Sequence, residues 1–117
     1  MASWRWRKGG VTLPAGFRAG AGTGGLKDSG NPDVALLVAD GPCAAAGVFT
    51  RNLVVASCVT VNRDRIHARP TSIRALVANA GNANACTGDQ GLRDSLAMQR
   101  LGAEAAVCAP EDVLVFS

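Results

Sequence analysis

Apolar residues in this chain gather in short runs that are separated by glycine, proline, asparagine and aspartate. Continuous runs of about four to eight apolar residues between such turn residues are typical of β-strands. Five runs are predicted as strands on this basis: residues 34–39, 44–50, 53–61, 73–79 and 113–117. The first and third are expected to be buried on both faces, and the Arg51-Asn52 turn predicts an antiparallel hairpin between the second and third.

One longer stretch, residues 87–109, has the periodicity of an amphipathic helix. Thr87 and Gln90 have the spacing of a capping box at its start, and Pro110 ends it. Its apolar positions form a wide surface, which predicts burial on more than one side: Leu92, Leu96, Ala97, Leu101, Ala105 and Cys108. A short helical turn capped by Asn62 is expected over residues 63–66, so the chain is predicted to be of the mixed α/β (α+β) class.

The glycine- and proline-rich segment 12–32 contains a G-x-G-x-x-G pattern that begins at Gly20, with Asp40 twenty residues later. This spacing is that of a dinucleotide-binding loop, which also requires a strand before it and a helix after it. Residues 13–18 are too interrupted for a buried strand, and Gly30 and Pro32 leave no room for a helix. We therefore interpret the segment as turns.

Charge and hydropathy exclude two classes of partner. Three of the twelve basic residues, Arg5, Arg7 and Lys8, lie in the first ten positions, and without them nine basic residues balance nine acidic ones. Such a neutral body argues against nucleic-acid binding, and residues 1–9 are predicted to be a flexible basic tail. No run reaches the ~18–20 apolar residues of a membrane span, and no apolar leader segment follows the basic start.

The cysteines are too widely spaced for a C-x-x-C site, so no metal site is predicted. Without a leader segment they are expected to be free thiols, and the protein to be cytoplasmic. Cys86 lies just before the predicted helix, where a thiolate nucleophile would be favoured, with His67 as its general base. The alternative is that Cys86 is a small packing residue and His67 a surface residue.

The segment most suggestive of a site is the loop Asn79-Ala80-Gly81-Asn82-Ala83-Asn84-Ala85-Cys86-Thr87-Gly88. It leaves a predicted strand and enters the long helix. Small residues allow close backbone approach, and asparagine amides both donate and accept hydrogen bonds. The loop is therefore suited to form the wall of a ligand site or active site, or simply to satisfy its own backbone and begin the helix.

This loop, together with other segments in the same order, resembles the ornithine acetyltransferase (bifunctional glutamate N-acetyltransferase) family of arginine biosynthesis. The matching segments are residues 10–19, 33–38, 45–52, 79–88 with Gln90-Gly91, and 113–117. The resemblance implies an α-β-β-α sandwich and a precursor that cleaves itself. The new N-terminal threonine of the downstream chain would carry acetyl from N-acetylornithine to glutamate. No cofactor is implied, although acetyl-CoA is a possible acetyl donor.

The resemblance places no catalytic residue in this chain. Ser117 matches the first position of a Ser-Thr-Gly motif, whose Thr-Gly pair forms the oxyanion hole and would follow it, and the nucleophilic threonine would lie further downstream. Asn79, Asn82, Asn84 and Thr87 are the candidate residues of an active-site wall. Residues 10–117 are expected to be an incomplete N-terminal segment of a larger domain, and its partner the downstream beta chain in a hetero-oligomer of alpha and beta chains. The alternative is a non-catalytic binding or assembly module.

Overall fold

The computed structural model describes residues 5–117 and contains one four-stranded sheet with two long helices on it. The elements, in chain order, are β1 (Phe17–Gly22), β2 (Val34–Cys43), α1 (Ser57–Ala68), β3 (Ile73–Asn79), α2 (Gly88–Ala106), a 3₁₀ turn (Pro110–Asp112) and β4 (Val113–Phe116). The strands lie in the order β1-β2-β3-β4. The β1–β2 and β2–β3 pairs are antiparallel, whereas β3 and β4 are parallel.

Both helices pack on one face of this sheet. The register pairs Ala75 with Val113 and Val77 with Val115, so these four side chains point to the same side. They form the core with residues of the two helices: Cys58, Val61, Ala103 and Ala106. The opposite face is also apolar, with Leu37, Leu76 and Leu114 in adjacent register, and none of these three belongs to the core cluster.

The outer edge of β4 is bound by side chains instead of another strand. Asn62 of α1 donates from Nδ2 to the Val115 carbonyl at 2.7 Å and accepts the Val115 N–H at 2.9 Å. Gln99 of α2 donates to the Val113 carbonyl at 2.8 Å. Since buried backbone groups need partners, the two amide side chains complete the hydrogen bonding of β4 and fix how both helices sit on the sheet.

The structure overturns the predicted hairpin. Residues 44–50 have no regular strand, and the predicted strand 53–61 is instead irregular chain followed by the first turns of α1. Its β-branched residues favour a strand locally. In the fold, however, Cys58, Val61 and Asn62 have helical i, i+3, i+4 spacing and all face inward. Asn62 consequently lies within a helix, bonded to Val115, and does not cap a turn.

The other strand predictions are confirmed, with changes at the ends of the strands. Residues 73–79 form β3 as predicted, and 113–116 form β4. β2 contains the predicted run but continues to Cys43. The expected burial on both faces is wrong, since Ala39 is its only buried residue and Leu36 and Val38 pack only partly against the core. β1 is not among the predicted strands, because four of its six residues are alanine or glycine and carry little hydrophobic signal; it is an exposed edge strand.

The long helix is confirmed, although it ends at Ala106 and Val107 takes a left-handed conformation. Its predicted apolar surface is confirmed only in part: Leu96 and Cys108 pack against the core, whereas Leu101 is 64% exposed. The buried face consists instead of Gly91, Ser95, Gln99, Gly102, Ala103 and Ala106. Because the Gln99 amide has to reach the β4 edge, the helix is rotated so that Leu101 and Ala105 face outward beside the sheet.

The N-terminal tail was predicted over residues 1–9, of which 1–4 lie outside the described residues. Residues 5–10 are exposed and belong to no helix or strand. Over the part of the chain from residue 5 onward, no helix has both the length and the apolar character needed to cross a membrane.

Candidate functional site

The loop between β3 and α2 is tied to the end of β4. The Ser117 hydroxyl accepts the Asn84 backbone N–H at 3.0 Å and donates to the Asn82 carbonyl at 3.0 Å. Within the loop, the Asn79 side chain donates to the same Asn82 carbonyl at 3.2 Å. Three of the predicted wall residues are thus brought to one place, directly beside Ser117.

Asn84 joins this loop to the starts of both helices. Its Nδ2 donates to the Gly91 carbonyl at 2.7 Å and to the Ser95 hydroxyl at 3.1 Å. The Ser57 hydroxyl of α1 contacts the same two groups, at 3.0 Å and 2.7 Å. The Thr87 hydroxyl donates to Asn84 Oδ1, which completes the hydrogen bonding of the amide. The loop is therefore held by a connected polar network.

The predicted capping box is not formed. Thr87 is the N-cap residue, but its hydroxyl binds Asn84 and makes no bond to a helix N–H. The Gln90 side chain bonds Asp94 and Arg93 on the helix surface. The competing partner is the side chain of Asn84, three residues earlier in the loop, which accepts the Thr87 hydroxyl in place of a contact with the helix. Gly91 is required here, since a Cβ at this position would overlap Thr87 Oγ1 and Asn84 Oδ1.

A groove of about 560 Å³ lies beside this network, between α2 and the sheet. One end is polar, formed by the four predicted wall residues and Ser117. The sides are apolar, with Leu36 and Val77 from the sheet, Leu101 from α2 and Leu26 from the glycine-rich segment. Such a groove suits a ligand with a polar end and a short aliphatic body.

The glycine-rich segment binds a carboxylate of its own chain. Asp33 Oδ1 accepts the Gly24 N–H at 2.5 Å, and Oδ2 accepts those of Leu26 at 2.6 Å and Lys27 at 3.0 Å. The Gly24 bond, with those of Lys27 and Leu26, lowers the pKa of Asp33 against the opposing effect of burial. A strand does form here, contrary to the sequence interpretation, since β1 lies within the segment and includes Gly20 and Gly22, but no helix follows it before β2. The segment thus lacks the helix N-terminus of a dinucleotide-binding loop.

Sequence reasoning missed Asp33, Ser57 and Ser95 as parts of this region. The available signal was Asp33, an acidic residue that directly precedes an apolar strand and follows a run of glycines. The carboxylate of a residue in this position can accept hydrogen bonds from the free backbone N–H groups of those turns. The two serines carried no local signal, because they meet only when the two helices pack.

In the described part of the chain, the two residues of the alternative thiol site do not form a hydrogen-bonded pair. Cys86 and His67 are both exposed, and within residues 5–117 no hydrogen bond joins them. Burial raises the pKa of a different thiol, that of Cys108. Among these same residues no group of three or more His, Cys, Asp or Glu side chains is placed to hold a metal ion.

Comparison with known proteins gives one consistent family. A family model described as "ArgJ family" matches residues 18–117. The arginine biosynthesis bifunctional protein ArgJ of Symbiobacterium thermophilum is 52% identical over 91% of this chain, and ArgJ 1 of Nostoc sp. is 46% identical over all of it. This chain covers only 26% and 28% of those two relatives, so it spans about a quarter of their length.

Two crystal structures have the same fold. The arginine biosynthesis bifunctional protein of Bacillus halodurans matches 92% of this chain and 55% of its own, with a TM-score of 0.84 and 36% identity. Ornithine acetyltransferase of Mycobacterium tuberculosis, in complex with ornithine, matches 92% of this chain and 59% of its own, with a TM-score of 0.76 and 39% identity. These matches confirm the predicted α+β class and its sandwich type.

Proposed function

Because this chain belongs to the ArgJ family, we propose that it is the N-terminal part of a cytoplasmic acetyltransferase of arginine biosynthesis. In this proposal the complete protein transfers acetyl from N-acetylornithine to glutamate, with acetyl-CoA as a possible further donor and no resident cofactor. The groove beside Asn79, Asn82, Asn84 and Thr87 forms one wall of its active site.

The observation that carries the proposal is the pair of hydrogen bonds between Ser117 and the loop, to Asn82 and from Asn84. In the family that this sequence resembles, a Thr-Gly pair that forms the oxyanion hole follows this serine. The loop would therefore position the backbone that leads into the oxyanion hole, and hydrogen-bond donors fixed in advance are what stabilise a tetrahedral intermediate.

The proposed chemistry takes place on the downstream chain. Self-cleavage of the precursor frees an N-terminal threonine, whose hydroxyl attacks the acetyl carbonyl of N-acetylornithine while the ornithine amine leaves. The amine of glutamate then attacks the acetyl-threonine ester and regenerates the hydroxyl. The residues of the present chain do not react in these steps; they shape the groove and hold the neighbouring backbone.

The uncovered surface of the chain supports a partner that completes the fold. The face of the sheet opposite the helices carries Leu37, Leu76 and Phe116, the last of which is exposed. An apolar sheet face of this kind packs against a second sheet in a sandwich. We propose that the downstream part of the same precursor, the beta chain, supplies that layer in a hetero-oligomer.

The test measures acetyl transfer from N-acetylornithine to glutamate by the full-length protein. Asn84→Ala and Thr87→Val are expected to lower kcat/KM by about 10–100-fold, because the backbone after Ser117 loses its fixed position. Asn31→Ala is the matched control, since Asn31 is exposed and its side chain makes no hydrogen bond in the described part of the chain. Unchanged activity in both variants would remove the loop from the active site.

The present chain by itself is expected to be inactive, because the proposed nucleophile and oxyanion hole belong to downstream sequence. The same assay on the 117-residue chain checks this. Turnover above background that Cys86→Ala abolishes would overturn the proposal in favour of a thiol nucleophile. A full-length protein without any acetyl transfer would favour a binding or assembly module.

A further inference from the structure

Asp33 holds the glycine-rich segment in a defined conformation. The residue is 3% exposed and directly precedes β2. Its two carboxylate oxygens accept three backbone N–H groups, those of Gly24, Leu26 and Lys27. A carboxylate with several backbone donors fixes a turn strongly, because each charge-assisted bond is shorter and stronger than a neutral one.

The same residue connects this segment to the asparagine loop through its main chain. The Asp33 N–H donates to the Gly22 carbonyl at 3.0 Å, and its carbonyl accepts the Ala80 N–H at 2.8 Å. The two segments also touch at Gly81, which has a φ of 99°. A Cβ there would lie 2.8 Å from Cγ of Lys27. The position of the glycine-rich segment is therefore set relative to the wall of the groove.

Leu26 is the residue that this arrangement brings to the groove. Its N–H is bound by Asp33 at 2.6 Å, and its side chain lines the groove together with Asn79 and Asn82. The side chain remains 40% exposed. A large apolar side chain that is partly exposed beside polar amides can contact the aliphatic part of a ligand.

We propose that Asp33 is a positioning residue and Leu26 a specificity-determining one. The Asp33 carboxylate holds Leu26 at the rim of the groove, where Leu26 contacts the methylene chain of the amino-acid substrate. The inference rests on the proposed function and adds to it a role for the glycine-rich segment, which the acetyl-transfer chemistry itself does not use.

The experiment uses the full-length protein and measures kcat and KM for N-acetylornithine. Leu26→Ala is expected to raise KM about tenfold with kcat within about twofold, as for the loss of a few methylene contacts. Asp33→Asn is expected to raise KM to a similar extent. Adding Leu26→Ala to Asp33→Asn should cause little further change, because Leu26 has already lost its position. The matched controls are Asp28→Asn in the same segment and the fully exposed Leu53→Ala, both expected to leave KM unchanged.

Hydrogen exchange at the amides of Gly24, Leu26 and Lys27 gives a readout that does not depend on activity. We expect slow exchange in the wild-type protein and fast exchange in Asp33→Asn, with circular dichroism confirming that the variant is folded. An active protein in which Leu26→Ala leaves KM unchanged, or in which the two substitutions add fully, would overturn this inference alone. An inactive wild-type protein would overturn both this inference and the proposed function.

Discussion

Replacing Asn62 should be among the most destabilising single changes in this chain. Asn62→Ala removes both hydrogen bonds to Val115, whose backbone is then left without a partner. Val115 is 1% exposed, so water does not replace the lost partner at the surface. An orphaned buried N–H or C=O costs about 1–3 kcal/mol, and the two together should lower the free energy of unfolding by about 3–5 kcal/mol.

A second variant separates hydrogen bonding from packing. Asn62→Leu keeps the branching of asparagine at Cγ, is somewhat larger and fills the site with apolar atoms, yet it leaves the same two Val115 groups unpaired. If packing dominated, leucine would restore most of the stability lost in the alanine variant. If the unpaired groups dominate, leucine should be as destabilising as alanine or more so, because it also keeps a water molecule out of the space.

The assay is urea unfolding followed by far-UV circular dichroism, at a concentration where all variants have the same oligomeric state. With a slope of about 1.5 kcal/mol/M, the expected loss lowers the midpoint by about 2–3 M. Asn31→Ala is the control and should change stability by less than about 0.5 kcal/mol. An Asn62→Leu variant within about 1 kcal/mol of wild type would refute the argument that the β4 edge depends on this amide.

Three further predictions concern other parts of the chain. Gly91→Ala normally favours a helix by about 1 kcal/mol, but here it should lower the melting temperature and the activity, because the methyl group displaces Thr87 and Asn84; the control is Gly20→Ala, where a Cβ meets no atom and φ is not positive. Folding lowers the pKa of Asp33, so the ionised carboxylate stabilises the fold fully above the ordinary pKa of 3.8, and this stabilisation is lost at more acid pH. The melting temperatures of wild type and Asp33→Asn should therefore converge as the pH falls below 3.8, and a difference in melting temperature that persists there would contradict the ionic contribution. Deletion of residues 1–8 should leave the melting temperature of the assembled protein unchanged, since residues 5–8 are exposed and belong to no helix or strand; a loss of several degrees would show that the tail is docked.

The local sequence was sufficient to predict an element where its hydrophobic pattern agrees with its packing in the fold. Residues 73–79 form β3 as the continuous apolar run predicts, because this strand lies between two others and its alternate residues face the helices. The long helix was evident from its length and from Pro110 after it. The asparagine loop stood out because it contains no bulky residue, and its resemblance to a known family was enough to predict the family that the comparisons show.

Contacts made in the folded chain decided the remaining features, because local sequence patterns do not show which partner each polar group meets. Residues 57–61 have β-branched composition but become helical, since Asn62 on the same face binds Val115, which is 53 residues away. Thr87 has a capping sequence, yet its hydroxyl binds Asn84 instead of the helix. The glycine pattern near Gly20 resembles an anion-binding loop, and the anion that it binds is the Asp33 carboxylate of its own chain. Sequence spacing indicated which polar groups were available, and only the packing of strands and helices determined which of them meet.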